Sequence, residues 1–319
     1  MAVASAPLLL VLRALGLGDF LTGLPALRGL RDAYPDHRLV LAAPAPLEPL
    51  ARLSGAVDKL HPTGPLSPLD GALAAADVAV NLHGKGPESH RILLRSRPGR
   101  LLAFANSEIP ESAGLPTWRA DEHEVHRWCR LLTESGVNAD PSRLDLAPPD
   151  GTAARDAATT VIHPGAASAA RRWPAERFAA VATAERDAGR RVVVTGSAAE
   201  GRLAWEVARV ASLDDADVLA GKTNLLELAA VVADAGRVVC GDTGVGHLAT
   251  AFGTPSVVLF GPTSPQRWGP PPDRREHRVL WAGTAGDPHA RVIHPGLLRI
   301  EVADVLNELA KLDRLPRAA

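Results

Sequence analysis

The sequence predicts an α/β protein made of two halves, each a parallel sheet covered by helices, and three features lead to that prediction. Short apolar runs alternate with segments of helical spacing along almost the whole chain. A proline-rich break, DLAPPDG at residues 145–151, interrupts this alternation near the middle. The alternation then restarts, so we predict an N-terminal domain over residues 1–147, a linker over 148–158 and a C-terminal domain over 159–319.

The first half carries strands that are separated by helices. Apolar runs bounded by turn residues predict strands over Leu8–Leu12, Arg38–Ala43, Asp58–His61, Val78–Leu82 and Leu101–Phe104. Segments of helical spacing predict helices over Phe20–Tyr34, Pro46–Leu53, Pro68–Ala75 and Glu122–Ser135, and one that opens at Gly84–Ser89. Pro25 falls early in the first helix, where a missing backbone N–H costs least.

The second half repeats the same alternation. Its predicted strands are Thr160–Ile162, Arg191–Thr195, Val218–Ala220, Val238–Cys240, Pro255–Phe260 and Arg278–Trp281. Its predicted helices are Ala175–Ala188, Glu200–Ala211, Leu225–Ala235, His247–Phe252 and Val302–Leu312.

Composition and charge exclude several classes of protein. The net charge is −1, whereas a nucleic-acid-binding protein usually has a marked basic face. Cys129 and Cys240 are far apart in apolar surroundings, so neither a disulfide framework nor a metal cluster follows from them. The apolar run at the start is too short for a signal peptide, and none reaches the roughly 20 residues of a membrane span. We expect a cytoplasmic protein that binds no nucleic acid and touches a membrane only peripherally, if at all.

The segment Arg237–Gly261 is the most informative stretch of the chain. It predicts a buried strand, a glycine-rich turn at Gly241–Gly246, a helix ended by Gly253, and a second strand. Glycines at a helix N-terminus let the backbone approach a ligand, and the free N–H groups there favour a phosphate. Asp242 stands at the carboxyl end of the strand, where open α/β sheets bind ligands. The same glycines also suit a sharp turn without a ligand, so this segment alone leaves both interpretations open.

Two strand ends in the first half place polar residues where a ligand site is expected. Asp19 follows the first strand and is either a helix N-cap or a general base that the helix N-terminus keeps ionised. The run NLHGKG at residues 81–86 is either a capped turn or a polar wall of a site. Gly16 and Gly18 invite comparison with the dinucleotide motif G-x-G-x-x-G, but Leu21 takes the place of the third glycine. This departure disfavours an oxidoreductase that binds nicotinamide or flavin.

Loops in the second half leave similar alternatives open. Arg171, in the loop His163–Pro174, either reaches the anionic oxygens of a ligand or faces solvent. Glu200 either accepts hydrogen bonds from ribose hydroxyls or caps a helix. Two runs that look like metal motifs, HEVH at 123–126 and DAD at 215–217, lack the spacing or the neighbours of a metal site, so they predict exposed surface.

Taken together, these segments resemble glycosyltransferase family 9, the ADP-heptose:lipopolysaccharide heptosyltransferases. The matching segments follow the family's order and are LRALGLGDFLTGLPALRGLR, NLHGKGPES, HPGAASAARRWPAERF, VVVTGSAAE, residues 225–261 and GLLRI. The DTGxxHL run at Asp242 and the GDxxxxxPAL run at Asp19 are specific in combination. The resemblance implies a GT-B fold, in which two Rossmann-like domains face each other across a cleft. The N-terminal domain then binds the acceptor and the C-terminal domain a nucleotide sugar, with the last helix packing back on the N-terminal domain.

The resemblance also assigns residues to roles. Asp19 takes the place of the general base, and Arg171 that of a lysine which contacts the donor phosphate, so both are predicted to be catalytic. The predicted donor-binding residues are Ser168, Arg171, Thr195, Gly196, Glu200, Thr223, Asn224, Leu225, Asp242, Thr243, Gly244, Val245, Gly246 and His247. The predicted acceptor-binding residues are Gly18, Asn81, His83, Gly84 and Lys85. Gly246 stands where many relatives have serine or alanine.

The activity that the resemblance implies is inverting glycosyl transfer without a metal or a cofactor. The sugar, a heptose or another hexose, moves from a nucleoside diphosphate, expected to be ADP, to a hydroxyl of a glycan, a lipid-linked glycan or a small molecule. Asp19 takes the proton of the attacking hydroxyl, while Arg171 and the helix N-terminus after Asp242 stabilise the departing diphosphate. Two alternatives stay open: a non-catalytic protein that binds a nucleotide sugar, and a nucleotide-sugar epimerase of the same fold.

Overall fold

The computed structural model describes residues 6–152 and 155–315, which form two compact units that divide between Leu144 and Asp145. The segment after this division is bound to the second unit, because the backbone N–H of Leu146 donates to the carbonyl of Ala251 at 2.8 Å. The first strand of the second unit begins at Asp156. The predicted linker covers residues 148–158, so its last part, residues 156–158, overlaps this strand.

The first unit contains a sheet of five parallel strands among its described residues. The strands are β1 (Leu8–Leu12), β2 (Arg38–Ala43), β3 (Lys59–Pro62), β4 (Val78–Asn81) and β5 (Arg100–Leu102). The helices are α1 (Leu17–Thr22), α2 (Leu24–Ala33), α3 (Glu48–Leu53), α4 (Glu88–Leu94) and α5 (Glu124–Glu134). The sheet order is β3-β2-β1-β4-β5, so the direction of winding reverses between β1 and β4. Open α/β sheets bind ligands at the carboxyl ends of the strands beside such a switch point.

The sequence of β1 explains why it lies at the centre of this sheet. All five of its residues, LLLVL, are buried, which is typical of a parallel strand covered on both faces. Leu12 pairs with Asn81 of β4, so the residues that follow the two strands are neighbours.

The second unit repeats this architecture with five parallel strands among its described residues. They are β6 (Asp156–His163), β7 (Arg191–Val194), β8 (Ala235–Gly241), β9 (Ser256–Phe260) and β10 (His277–Trp281). The helices are α6 (Ala175–Asp187), α7 (Gly201–Val210), α8 (Leu225–Asp234), α9 (Gly244–Phe252), α10 (Pro265–Trp268), α11 (Pro295–Leu298) and α12 (Val302–Leu312). The sheet order is β10-β9-β8-β6-β7, which places the switch point between β6 and β8.

The C-terminal helix α12 has the bounds that the sequence predicts. Val305, Leu309 and Leu312 bury its apolar face in the core of the second unit, against α6 and β9. This face is thus used within its own unit.

Two predicted helices of the first unit are wrong in extent. The helix predicted over 20–34 is divided into α1 and α2. Pro25 explains the division, because it has no N–H to donate to the carbonyl of Leu21 in a continuous helix. The helix predicted over 68–75 is only a short 3₁₀ turn, Gly71–Leu73. Both differences arise where proline or glycine interrupts an apolar pattern.

The strand predicted over 218–220 is also wrong. Val218 makes only an isolated parallel bridge with Val194 at the end of β7. This bridge stands in the position that a third strand takes in a complete sheet of this type.

Gly29 is required in the middle of α2 by close packing. A Cβ atom there would lie 2.6 Å from the carbonyl oxygen of Asn138 and 2.9 Å from the Cβ of Ala139. We therefore expect Gly29→Ala to lower the free energy of unfolding by about 1–3 kcal/mol, although alanine favours helices. Gly201→Ala in α7 is the matched control, since nothing lies within 4 Å of its added Cβ. Urea unfolding of both variants checks the prediction, and equal effects would contradict it.

Candidate functional site

Asp19 lies in the first turn of α1, just beyond the end of β1. The residue before the helix is Gly16, and no side chain caps the helix, so Asp19 is not an N-cap. The Asp19 side chain is 28% exposed. The carbonyl of Gly18 accepts a hydrogen bond from the Thr22 hydroxyl at 3.0 Å, which holds this turn together. The structure thus removes the capping alternative for Asp19 and leaves a partly buried carboxylate at the switch point of the first sheet.

Burial and neighbouring charges act on the pKa of Asp19 in opposite directions. Burial raises the pKa of Asp19, and the nearby Glu124 carboxylate adds to this rise. The Arg13 guanidinium, whose Nη2 lies 3.9 Å from Oδ1 of Asp19, opposes it. Desolvation has the largest effect on the pKa of Asp19, while hydrogen bonds from the backbone N–H groups of Gly16 and Asp19 lower it. That the helix N-terminus keeps this carboxylate ionised stays a prediction. A carboxylate with a raised pKa is a stronger base, which suits the removal of a proton.

The predicted acceptor residue Asn81 is buried and bonded within its own loop. Its Nδ2 lies 2.9 Å from the Ser89 hydroxyl and 3.1 Å from Nδ1 of His90, and its Oδ1 accepts the N–H of His83 at 3.0 Å. The capped-turn alternative describes Asn81, which shapes the loop after β4.

Residues 83–85 of this loop, which follow the buried Leu82, are more accessible. Nδ1 of His83 accepts the N–H of Ala14 at 3.2 Å, and burial together with the charge of Arg13 lowers the His83 pKa. A neutral His83 in this hydrogen bond carries its proton on Nε2. Gly84 has open space where a Cβ would stand, and Lys85 is exposed. His83, Gly84 and Lys85 thus remain the polar candidates beside Asp19.

In the second unit, Asp242 and Arg171 meet at the switch point between β6 and β8. Asp242 directly follows β8 and is 5% exposed. Nη1 of Arg171 lies 3.2 Å from the backbone carbonyl oxygen of Asp242 and 3.9 Å from its Oδ2. Burial raises the pKa of Asp242, while Arg171 and a hydrogen bond from Thr263 oppose the rise. Gly241 permits this contact, because a Cβ there would lie 2.9 Å from the carbonyl oxygen of Arg171.

The N-terminus of α9 follows Asp242 and is open to a ligand. Thr243 precedes the helix in an extended conformation, and its side chain makes no capping hydrogen bond. Gly244 and Val245 form the first turn, where helix N–H groups have no partner within the helix. The nine-residue α9 therefore directs backbone N–H groups and the positive end of its dipole towards the space beside Asp242 and Arg171.

Gly246 has a packing role that differs from the predicted donor contact. Its N–H donates to the carbonyl of Thr243 at 3.0 Å. A Cβ there would lie 3.4 Å from Sγ of Cys240 and 3.4 Å from Val258, so the glycine brings α9 close to the sheet. The adjacent His247 ring meets the Trp268 ring edge to face at 6.0 Å. These two rings line a small pocket that also includes Asp242.

Several other predicted donor residues serve the local fold. The Thr195 side chain is buried with its hydroxyl 3.0 Å from Nδ1 of His163, so it is not available to a ligand. Glu200 forms a capping box with Ser197, whose N–H and hydroxyl each lie 2.8 Å from its Oε2. The capping alternative thus holds for one carboxylate oxygen of Glu200. The hydroxyl of Ser168 donates to the carbonyl of Pro288.

The loop before α8 is also capped by its own residues. Asn224 is the N-cap and accepts the N–H groups of Leu226 and Glu227 at 2.9 and 3.0 Å. Thr223 is half-buried, and Leu225 begins the helix. Gly196 packs against Glu200, because a Cβ added at Gly196 would lie only 3.3 Å from Cβ of Glu200. The structure brings Gly196 and Glu200 together but gives Asn224 a structural role.

Three charged or polar residues of these sites escape the sequence analysis. Arg13 and Glu124 lie beside Asp19, and Thr263 lies beside Asp242. The position of Arg13 directly after an apolar strand was the one available signal. Thr263 follows β9, the neighbour of β8, which is a similar signal.

The sequence predicts that the run HEVH at 123–126 is exposed surface, which is wrong for Glu124, because this residue is 5% exposed. Nδ1 of His123 accepts the N–H of Val125 at 3.2 Å and so caps α5. Within residues 6–152 and 155–315, no group of three or more His, Cys, Asp or Glu side chains is arranged so that it could bind a metal ion. Among the helices of the same residues, none has the length and apolar character needed to cross a membrane.

Comparison with known proteins identifies the family that the chain matches. The sequence model described as "Glycosyltransferase family 9 (heptosyltransferase)" matches residues 115–289, more than half of the chain. The match includes Arg171, Asp242 and the N-terminus of α9. The resemblance found in the sequence is confirmed.

Two curated relatives match parts of the chain. Lipooligosaccharide heptosyltransferase 2 of Haemophilus influenzae is 36% identical over 108 residues, which are 33% of this chain and 31% of that protein. Lipopolysaccharide heptosyltransferase 2 of Escherichia coli K12 is 33% identical over 152 residues, 45% of this chain and 43% of that protein. The chain thus spans less than half the length of these curated relatives.

A solved structure covers nearly the whole fold. The E. coli ADP-heptose lipopolysaccharide heptosyltransferase II superimposes with a TM-score of 0.76 over 96% of this chain and 98% of that one, at 24% identity. At this identity the likeness shows the fold alone. The predicted class, a GT-B fold with two Rossmann-like parallel-sheet domains, is confirmed.

The buried Asp242 makes stability depend on pH in a predictable direction. Because its pKa is raised in the folded protein, the stability it contributes in the protonated form is lost as the pH rises through that pKa. Asp242→Asn removes this loss, so the free energy of unfolding of the variant relative to the wild type should increase from about pH 4 to about pH 7. Thr263→Val removes a group that lowers the pKa of Asp242 and should steepen the loss. Urea unfolding at both pH values checks both signs, and a difference that is constant with pH would contradict the prediction.

Proposed function

This protein belongs to glycosyltransferase family 9, and we propose that it transfers a heptose from ADP-heptose to an acceptor hydroxyl, with inversion and without a metal ion. A heptose is the sugar moved by the named relatives, and ADP-heptose is the donor named for the E. coli structure. Another nucleotide hexose is the second candidate donor. The acceptor is a hydroxyl of a glycan, a lipid-linked glycan or a small molecule.

The strongest support for this function is the convergence of three groups in the second unit. The open N-terminus of α9, the Arg171 guanidinium and the Asp242 carboxylate converge at the switch point of the second sheet. Helix N–H groups and a guanidinium suit a diphosphate, and a carboxylate beside them suits the hydroxyls of the attached sugar. In a nucleoside-diphosphate sugar, the diphosphate is attached directly to the sugar that carries these hydroxyls.

The chemistry follows from where charge develops. As the bond between the anomeric carbon and the diphosphate breaks, negative charge grows on the diphosphate. Arg171 and the N–H groups of Gly244 and Val245 are already oriented to stabilise it, so this chain supplies positive charge from its own groups. The acceptor oxygen attacks the opposite face of the anomeric carbon in one in-line displacement, which inverts the configuration.

Asp19 supplies the base for the acceptor. Its raised pKa makes the ionised carboxylate a stronger proton acceptor than an ordinary aspartate. His83, Gly84 and Lys85 follow the neighbouring strand and are the proposed contacts for the acceptor, with Gly18 and Asn81 shaping the adjoining loops.

Asp19→Asn tests the base directly. We expect turnover to fall by about 10²–10⁴-fold, because the amide cannot accept the proton. Binding of ADP should not change, since Asp19 lies in the first unit. Acceptor-dependent release of ADP and calorimetric binding of ADP measure the two quantities. Asp36→Asn, an exposed aspartate of the same unit, is the control and should retain activity. Equal losses of turnover and ADP affinity would contradict the assignment.

Arg171→Met tests the diphosphate contact. Loss of a charge-assisted hydrogen bond should weaken ADP binding by about 10- to 100-fold and lower turnover as well. Arg209→Met removes an exposed arginine from α7 and is the matched control. Calorimetry with ADP, UDP and GDP, each with and without EDTA, measures the effect. An unchanged affinity in Arg171→Met would contradict the contact, and binding that EDTA abolishes would contradict metal independence.

The reaction itself is tested with ADP-heptose and a panel of hydroxyl acceptors. We expect release of ADP to require an acceptor and the new glycosidic bond to have the opposite anomeric configuration. Conversion of the donor sugar without an acceptor would indicate an epimerase. Binding of ADP-heptose without turnover on the panel would favour a non-catalytic binding protein.

A further inference from the structure

A buried cluster beside Asp19 is not explained by the donor site. Arg13 is 1% exposed, although arginine is rarely buried without partners. Its Nη2 lies 3.1 Å from the Thr22 hydroxyl and 3.3 Å from Oε1 of Glu124. Glu124 is itself buried and comes from α5, 111 residues further along the chain.

Arg13 also fixes the backbone on both sides of the switch point. Its Nε donates to the carbonyl of Asp19 and its Nη1 to the carbonyl of Leu82. One side chain therefore ties the turn that carries Asp19 to the loop that follows β4. Gly23 makes room for it, because a Cβ there would lie 3.0 Å from Cδ and Nε of Arg13.

Glu124 is held from its other side by α5. Its Oε2 pairs with Arg127, and its Oε1 accepts the indole N–H of Trp128 at 2.7 Å. The guanidinium of Arg13 lies over the Trp128 ring, 4.9 Å from its centroid. The pair is thus enclosed by ion pairs, hydrogen bonds and an aromatic face, in a setting where charges interact strongly.

We propose that Arg13 and Glu124 are positioning residues for Asp19, which fix the turn that carries it and set the electrostatic field at its carboxylate. The proposal rests on the proposed function, in which Asp19 is the base. The charged groups that act on Asp19 are Arg13, after β1, and Glu124, on α5, together with the backbone N–H of Gly16. His83, after β4, is a further titratable group that interacts with Arg13.

Two substitutions at the ion pair of Arg13 and Glu124 should shift the pKa of Asp19 in opposite directions. Arg13→Met removes the positive charge nearest to the carboxylate, so the pKa of Asp19 should rise by about one pH unit or more. Glu124→Gln removes a negative charge and keeps an oxygen for Trp128, so the pKa should fall by about half a unit. Arg13→Lys keeps the positive charge but lacks the planar set of N–H donors of arginine. It should therefore leave the pKa of Asp19 near the wild-type value, although it cannot make all the hydrogen bonds of Arg13 to the backbone.

The measurement is a carbon-13 NMR titration of the aspartate carboxyl groups in the full chain. The Asp19 resonance is assigned by its absence in Asp19→Asn, so no acceptor or donor is needed. The acid limb of the pH–rate profile with ADP-heptose should shift with the titration. Circular dichroism and ADP binding verify that each variant is folded.

The outcomes separate the proposal from the function on which it rests. Opposite shifts in Arg13→Met and Glu124→Gln support it. Shifts of the same sign, or lower thermal stability without a shift, would overturn it and leave a structural role alone. If Arg13→Met does not fold, the sign of the Glu124→Gln shift decides. Full turnover in Asp19→Asn would instead contradict the proposed base, whatever the titrations give.

Discussion

A carboxylate that is at least partly buried beside an arginine, at the carboxyl edge of a parallel sheet, is the interaction on which both sites depend. Asp19 and Arg13 form this pair in the first unit, and Asp242 and Arg171 form it in the second, each with 3.9 Å between the nearest charged atoms. In both pairs burial raises the pKa of the carboxyl and the guanidinium opposes the rise. In each unit, burial therefore places a carboxyl group and a guanidinium where charges interact more strongly than in water.

Arginine suits these positions because it offers several donors in one plane. Arg13 uses them to join two backbone carbonyls, a hydroxyl and a carboxylate, so the placement of Asp19 depends on a residue six positions earlier. Arg171 contacts the backbone of Asp242 and lies beside the open N-terminus of α9. Glycines at 23 and 241 let both arginines approach closely. The same parts thus place a carboxylate beside a guanidinium in each unit, and we propose that the first is the base and that the second belongs to the anion site.

The sequence predicts the fold well because alternating apolar runs and glycine turns are local signals. The turn before α9 and the bounds of α12 follow from such signals. The direction of a side chain is not local, which explains why the sequence did not show the contacts of Thr195 and Asn224. Thr195 follows β7 and its hydroxyl contacts His163, and Asn224 satisfies the N–H groups of its own helix. Arg13 was missed because its partner Glu124 is distant in sequence and is brought near only by the packing of α5.

We propose that the open N-terminus of α9, together with Arg171, binds the diphosphate of the donor. A crystal structure with ADP bound, grown in the presence of EDTA, tests it most directly. We predict that the terminal phosphate accepts hydrogen bonds from the N–H groups of Gly244 and Val245 and from the Arg171 guanidinium, beside the Asp242 carboxylate. ADP bound elsewhere, with these N–H groups left to solvent, would contradict the account.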